Sequence, residues 1–139
     1  MNIQAAILCE FAQVHGGFLF ISSGAVSRVG RPVDEERPMP LYLAVVLEVG
    51  YSELDRVHEL RVTVTRDGGA EVIGQVAAAF QPPPEAAASL HPGEPAIVPI
   101  VIPLQPITIA KNGQYDVRLS ADGGAAEIRT VYFDPLTTQ

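Results

Sequence analysis

Two stretches of the chain alternate apolar and polar residues into the same turn and out again: Val62-Thr-Val-Thr-Arg-Asp-Gly-Gly-Ala-Glu-Val72 and Val117-Arg-Leu-Ser-Ala-Asp-Gly-Gly-Ala-Ala-Glu-Ile128. A period of two sends successive side chains to opposite faces of an extended strand, and Asp-Gly readily takes the backbone angles of a tight turn. Each stretch therefore reads as a β-hairpin. One apolar and one polar face per strand describe antiparallel sheets with a buried side and a wet side. The expected class is all-β: an antiparallel two-sheet β-sandwich of the Ig-like or C2-like Greek-key kind, with about eight strands. The residues that the two hairpins share are those that turn chemistry selects anywhere, and nothing around them repeats, so they do not mark a duplication.

The hairpin registers follow from keeping the apolar residues on one face, because a slip of one residue turns the whole set outward. A three-residue loop at Asp67, Gly68 and Gly69 sets Val64 opposite Val72, Leu60 opposite Val76 and Thr65 opposite Glu71. A two-residue loop at Asp122-Gly123 sets Leu119 opposite Ala126 and Val117 opposite Ile128. It also gives two ion pairs on the wet face, Arg118 with Glu127 and Asp116 with Arg129. Val131 and Phe133 then point outward unless a bulge falls near Thr130, and a bulge is expected there.

Elsewhere, Ile3 to Glu10 and Phe18 to Ser23 read as strands joined through His15-Gly16-Gly17, with a helix over residues 3–14 as the rival assignment on propensity. Residues 24–40 read as a polar loop. Leu41 to Val49 is apolar on both faces, which needs a covering element on each side: the core on one, a loop or a neighbouring subunit on the other. Residues 81–95 suit a polyproline start and one helical turn at Glu85 to Leu90. In the strand Ile97 to Leu104, Pro95, Pro99 and Pro103 share parity, so one lateral edge lacks N–H groups and the strand lies at a sheet border or breaks away there. Gly113-Gln-Tyr115 has the form of a tyrosine corner, with a half-buried tyrosine at a strand start as the plainer alternative.

At 139 residues the chain is expected to be one domain over 1–139. A net charge of −7 with only nine basic residues speaks against nucleic acid as a partner. No apolar run is long enough to span a bilayer, so no membrane is expected. Cys9 has no intramolecular partner and no export signal precedes it. Ala6-Ile7-Leu8-Cys9 has Leu8 where a lipoprotein cleavage site needs a small residue, so a cytoplasmic location is expected. A hydrophobic content of 47% is high for a small monomer and points to apolar surface shared with another chain.

The chemistry-bearing residues do not assemble into a site. Ser22 and Ser23 precede Gly24 without the Gly-x-Ser-x-Gly pattern of a nucleophile elbow. His15, His58 and His91 lack zinc-ligand spacing, and Asp55 with His58, which could sit together on a turn, reads rather as a solvated strand entry. The Asp67 and Asp122 turns are explained by hairpin geometry without calcium. Asp34-Glu35-Glu36, flanked by Arg31 and Arg37, reads as a solvated loop. No phosphate-binding loop is present. No catalytic residue, metal or cofactor is therefore expected.

The chain resembles a family of small, uncharacterised bacterial proteins, largely actinobacterial, known as a domain of unknown function. The resemblance rests on Ala6-Ile-Leu-Cys-Glu-Phe-Ala-Gln-Val14 with Gly17-Phe-Leu-Phe-Ile-Ser-Ser-Gly24, on His58-Glu-Leu-Arg-Val-Thr-Val64 with Asp67-Gly68, and on Gly113-Gln-Tyr115 with Asp122-Gly123. Glu10 stands where the family usually has Asp. The resemblance implies a compact sandwich and brings no activity with it.

The function expected from these residues is a non-catalytic protein-interaction or assembly module, a homo-oligomer or the binder of a protein partner. The interface is expected at Tyr42, Ala44 and Val46 with Val98, Ile100 and Ile102. The alternative is a small-ligand or carbohydrate-binding sandwich using end loops around Tyr42, Tyr51 and His91.

Overall fold

The alternation becomes eleven strands among the described residues of a computed structural model, which describes residues 1–32 and 35–136. The strands are β1 (Asn2–His15), β2 (Phe18–Gly24), β3 (Arg28–Arg31), β4 (Arg37–Pro38), β5 (Tyr42–Val49), β6 (His58–Arg66), β7 (Glu71–Phe80), β8 (Ala96–Pro103), β9 (Thr108–Ile109), β10 (Gly113–Ala121) and β11 (Glu127–Pro135). One sheet runs β2-β1-β5-β8 and faces a second, β3-β11-β10-β6-β7, while β4 and β9 form a short separate ladder. All pairings are antiparallel except β11 with β3. The β-sandwich is as expected. The count exceeds eight because the supposed loop over 24–40 contains β3 and β4, and because β9 forms ahead of the second hairpin to pair with β4. Asp34 of the acidic cluster lies outside the described residues.

The core forms where the inner faces meet. Leu43, Leu47, Leu60, Leu119, Tyr115 and Phe133 are fully buried there, and truncating any such leucine to alanine costs about 2–5 kcal/mol. Tyr115 makes the corner: its hydroxyl donates to the Lys111 carbonyl at 2.6 Å, and its ring meets Phe133 edge-on at 5.2 Å. β8 borders its sheet, as its prolines require, and α1 (Pro84–Ala88) supplies the helical turn within 81–95.

Both hairpin registers differ from expectation. In the first, Arg66 pairs with Glu71 and Thr65 with Val72, and a bulge then shifts the ladder so that Val64 pairs with Gly74, Val62 with Val76 and Leu60 with Ala78. The loop is longer by Ala70 and the bulge adds one residue more. Two single slips restore parity, so Leu60, Val62 and Val64 still face the core.

In the second, Leu119 pairs with Glu127, Val117 with Arg129 and Tyr115 with Val131 along a straight ladder. No bulge falls at Thr130, and Val131 and Phe133 are buried without one. The cost falls on Arg129, now on the core-facing parity at the sandwich margin. Its Nε donates to the Ala6 carbonyl of the opposite sheet at 2.8 Å. The two expected ion pairs are replaced by Arg129 with Glu127 at 3.5 Å and a bond from the Thr130 hydroxyl to Asp116 at 2.9 Å.

Arg31, read as a loop flank, is buried. Its guanidinium donates to Asn112 Oδ1 at 2.9 Å and to the carbonyls of Ile109, Ala110 and Glu35. Arg37 binds the Glu35 carboxylate at the surface.

Candidate interaction surface

β5 pairs with β1 only as far as Cys9, so the rest of β1, through His15, is held by β2 alone as a two-stranded ribbon turning at Gly16-Gly17. Both glycines have positive φ, 60° and 79°, which the tight turn requires. The ribbon folds over the outer face of its own sheet. Ala12 and Leu19 pack with Cys9, Ala44 and Val101, burying a small second cluster, and Cys9 donates to the Tyr42 carbonyl at 3.5 Å. This answers the double apolarity of β5: its second face is covered around Ala44 by a hairpin of the same chain.

The residues expected to form an interface therefore separate. Tyr42 and Val46 lie half-buried on the outer face and Ala44 is buried beneath the ribbon. Val98, Ile100 and Ile102 do not belong with them. They pair with Leu47, Val45 and Leu43 and point into the sandwich core. The outward residues of β8 are Ile97, Pro99, Val101 and Pro103, because cross-strand partners share a face and these pair with Glu48, Val46, Ala44 and Tyr42.

Burying one side of the ribbon turns the other to solvent. His15 pairs with Phe18, Gln13 with Phe20 and Phe11 with Ser22, so three of the chain's five phenylalanines share one face. They are exposed by 71% at Phe18, 52% at Phe20 and 47% at Phe11, with Phe11 meeting Tyr42 edge-on at 5.5 Å. Val14 and Ile21, which pair with Leu19 and Ala12 on the other face of the ribbon, are also partly exposed. Residues 11–27 carry none of the chain's nine basic and 16 acidic residues. An aromatic patch depleted of charge has the composition of an interface centre.

Sequence reasoning missed Phe11, Phe18 and Phe20 because apolar residues at both parities looked like strand core. The charge-free run of 11–27 was the available signal.

The residues of the alternative reading are not brought together. Tyr51 lines an open cleft of about 450 Å³ with Asp55, Gln81 and Pro82 to Pro84. Tyr42 lies at the opposite end of β5, and the exposed His91 does not line that cleft. His58 does stand at a strand entry, as the first residue of β6, but it is not solvated. It is buried, with Nδ1 2.7 Å from Asp122 Oδ2 and Nε2 2.7 Å from the Glu53 carbonyl. Burial opposes the charged ring, but the Asp122 carboxylate and the Glu53 carbonyl outweigh it and hold the pKa above the ordinary 6.5. The Asp122 carboxyl is held below 3.8 by His58 and by the Glu59 N–H. The ring has no exposed nitrogen, so it is a structural pin rather than a base. Among the described residues no three His, Cys, Asp or Glu side chains converge as metal ligands, and no helix is long and apolar enough to cross a membrane.

The fold and its exposed ribbon define a β-sandwich with an aromatic surface. The chain belongs to a family of unknown function, DUF6941, whose profile matches residues 4–132. No curated protein matches it. Among solved structures it is similar to a β-glucosidase from Listeria innocua in complex with gluconolactone, at 10% identity and a TM-score of 0.37. That likeness covers 93% of this chain and 16% of the other.

Proposed function

We propose that the protein is a non-catalytic interaction module working in the cytoplasm, and that the β1–β2 ribbon is the surface through which it binds protein. The single observation that carries this reading is the exposure of Phe11, Phe18 and Phe20 on one charge-free face. Full burial of such a ring is worth about 1.5–3 kcal/mol, and each of these forfeits the part that its exposed surface represents, a cost that a partner would remove. Affinity capture from the source cells, comparing the wild type with a Phe18→Ser/Phe20→Ser variant, tests it. The wild type is expected to retain a protein, its own chain or another, that the variant loses; equal retention by both would refute the reading.

A second reading, a small ligand in the Tyr51 cleft, is favoured only by that cleft's apolar proline wall. Its openness to solvent and lack of converging polar groups make it the weaker one.

A further inference from the structure

We infer that the partner of the ribbon is a second copy of this chain, docked face to face about a twofold axis through Phe11, Phe18 and Phe20. The inference rests on the reading of the ribbon as a binding surface and names its occupant.

Charge is the first argument. The chain carries −7, so two copies repel wherever their acidic residues meet. The stretch 11–27 is a surface on which they can meet without opposing like charges.

Shape is the second. Along the exposed face the turn end carries Phe18 and His15, the middle Phe20 and Gln13, and the far end Ser22 and Phe11. A twofold axis near Phe20 lays the two ribbons antiparallel. Phe18 of one copy then falls over Ser22 and Phe11 of the other, and the two Phe20 rings meet near the axis. Phe18 is set against the small Ser22, while Phe11 meets His15 and Phe20 meets its own copy, the self-complementarity that a twofold contact requires.

The other sheet borders are guarded in ways this one is not. β8 carries Pro99 and Pro103, β7 is bulged, and β3 is short with Arg28 and Arg31 at its ends. β2 has no proline and no charge, and among the described residues no strand pairs with its outer side. A face two strands wide and a few residues long falls below the roughly 800 Å² per partner of a standard interface, so the dimer is concentration-dependent.

Sedimentation of the intact chain over low to high micromolar concentration tests this, together with Phe20→Glu and Phe18→Ser, both at exposed positions. The wild type is expected to pass from monomer to dimer across the range. Phe20→Glu should raise the dissociation constant at least about tenfold while keeping the wild-type circular dichroism spectrum. Hydrogen exchange in concentrated against dilute protein should slow selectively in residues 11–22. A wild type that stays monomeric, or a dimer that Phe20→Glu and Phe18→Ser leave intact, overturns the inference. A monomer that captures another protein through Phe18 and Phe20 overturns self-pairing but preserves the interaction module. A monomer that captures nothing through them removes both.

Discussion

His58 Nδ1 lies 2.7 Å from Asp122 Oδ2, tying the first residue of β6 to the turn that joins β10 to β11. The same carboxylate accepts the Glu59 N–H at 2.9 Å, and the Asp122 N–H donates to the Glu59 carbonyl at 2.8 Å. Both ring nitrogens of His58 face oxygen acceptors, so the ring is fully satisfied only when both carry protons.

This pin makes stability depend on pH in two limbs. His58 has a raised pKa, so its contribution is complete below pH 6.5 and is lost as pH rises through the raised value. Asp122 has a lowered pKa, so its contribution is complete above pH 3.8 and is lost as pH falls through the lowered value. Thermal melts from acid to mildly alkaline pH are expected to show a plateau between the limbs. His58→Phe should flatten the alkaline limb, and a wild-type alkaline slope retained in that variant would contradict the assignment.

The two Asp-Gly-Gly turns provide their own control. Asp67 and Asp122 both have positive φ, 54° and 50°, so alanine meets similar backbone strain at either site. Only Asp122 holds a buried histidine. In urea titrations Asp122→Ala is expected to cost about 1–3 kcal/mol more than Asp67→Ala. Equal losses would mean that the pin contributes nothing.

Tyr115→Phe removes the hydroxyl that donates to Lys111 and leaves the ring against Phe133. A loss of about 1 kcal/mol in denaturant unfolding is expected, with the m-value unchanged.

Cys9 reports on the covering of the outer face of β5. Burial pushes its thiol pKa up, against the weaker opposing effect of backbone hydrogen bonds at Ala44 and Phe11. A thiol reagent is expected to label it far more slowly in the native protein than in denaturant. Ala12→Gly/Leu19→Ala, which thins the ribbon over it, should accelerate labelling. Rapid native labelling in the wild type would show that the ribbon does not stay closed.

Much of the fold could be read directly from residue order. Gly16-Gly17 and the two Asp-Gly-Gly sequences mark turns because they reach positive φ at little cost. Pro99 and Pro103 mark a border because they cannot donate to a ladder. The registers were less legible. Whether Ala70 joins the loop, and whether the ladder bulges after Val64, depends on what packs over the strand, and Gly74 sits against Ile107 from a distant loop. Arg129 likewise looked like a wet-face residue, because the carbonyl of Ala6 that receives it belongs to the other sheet.

Residue order alone carried the all-β class, the hairpin turns and the proline-lined strand edge. Each follows from the conformational limits of a few consecutive residues. Tertiary structure decided which apolar face is core and which is surface. Period-two alternation says that neighbours point opposite ways, but not which way is in. Val98, Ile100 and Ile102 went inward, and Phe11, Phe18 and Phe20 went outward, because the ribbon closed over Ala44 with its other side.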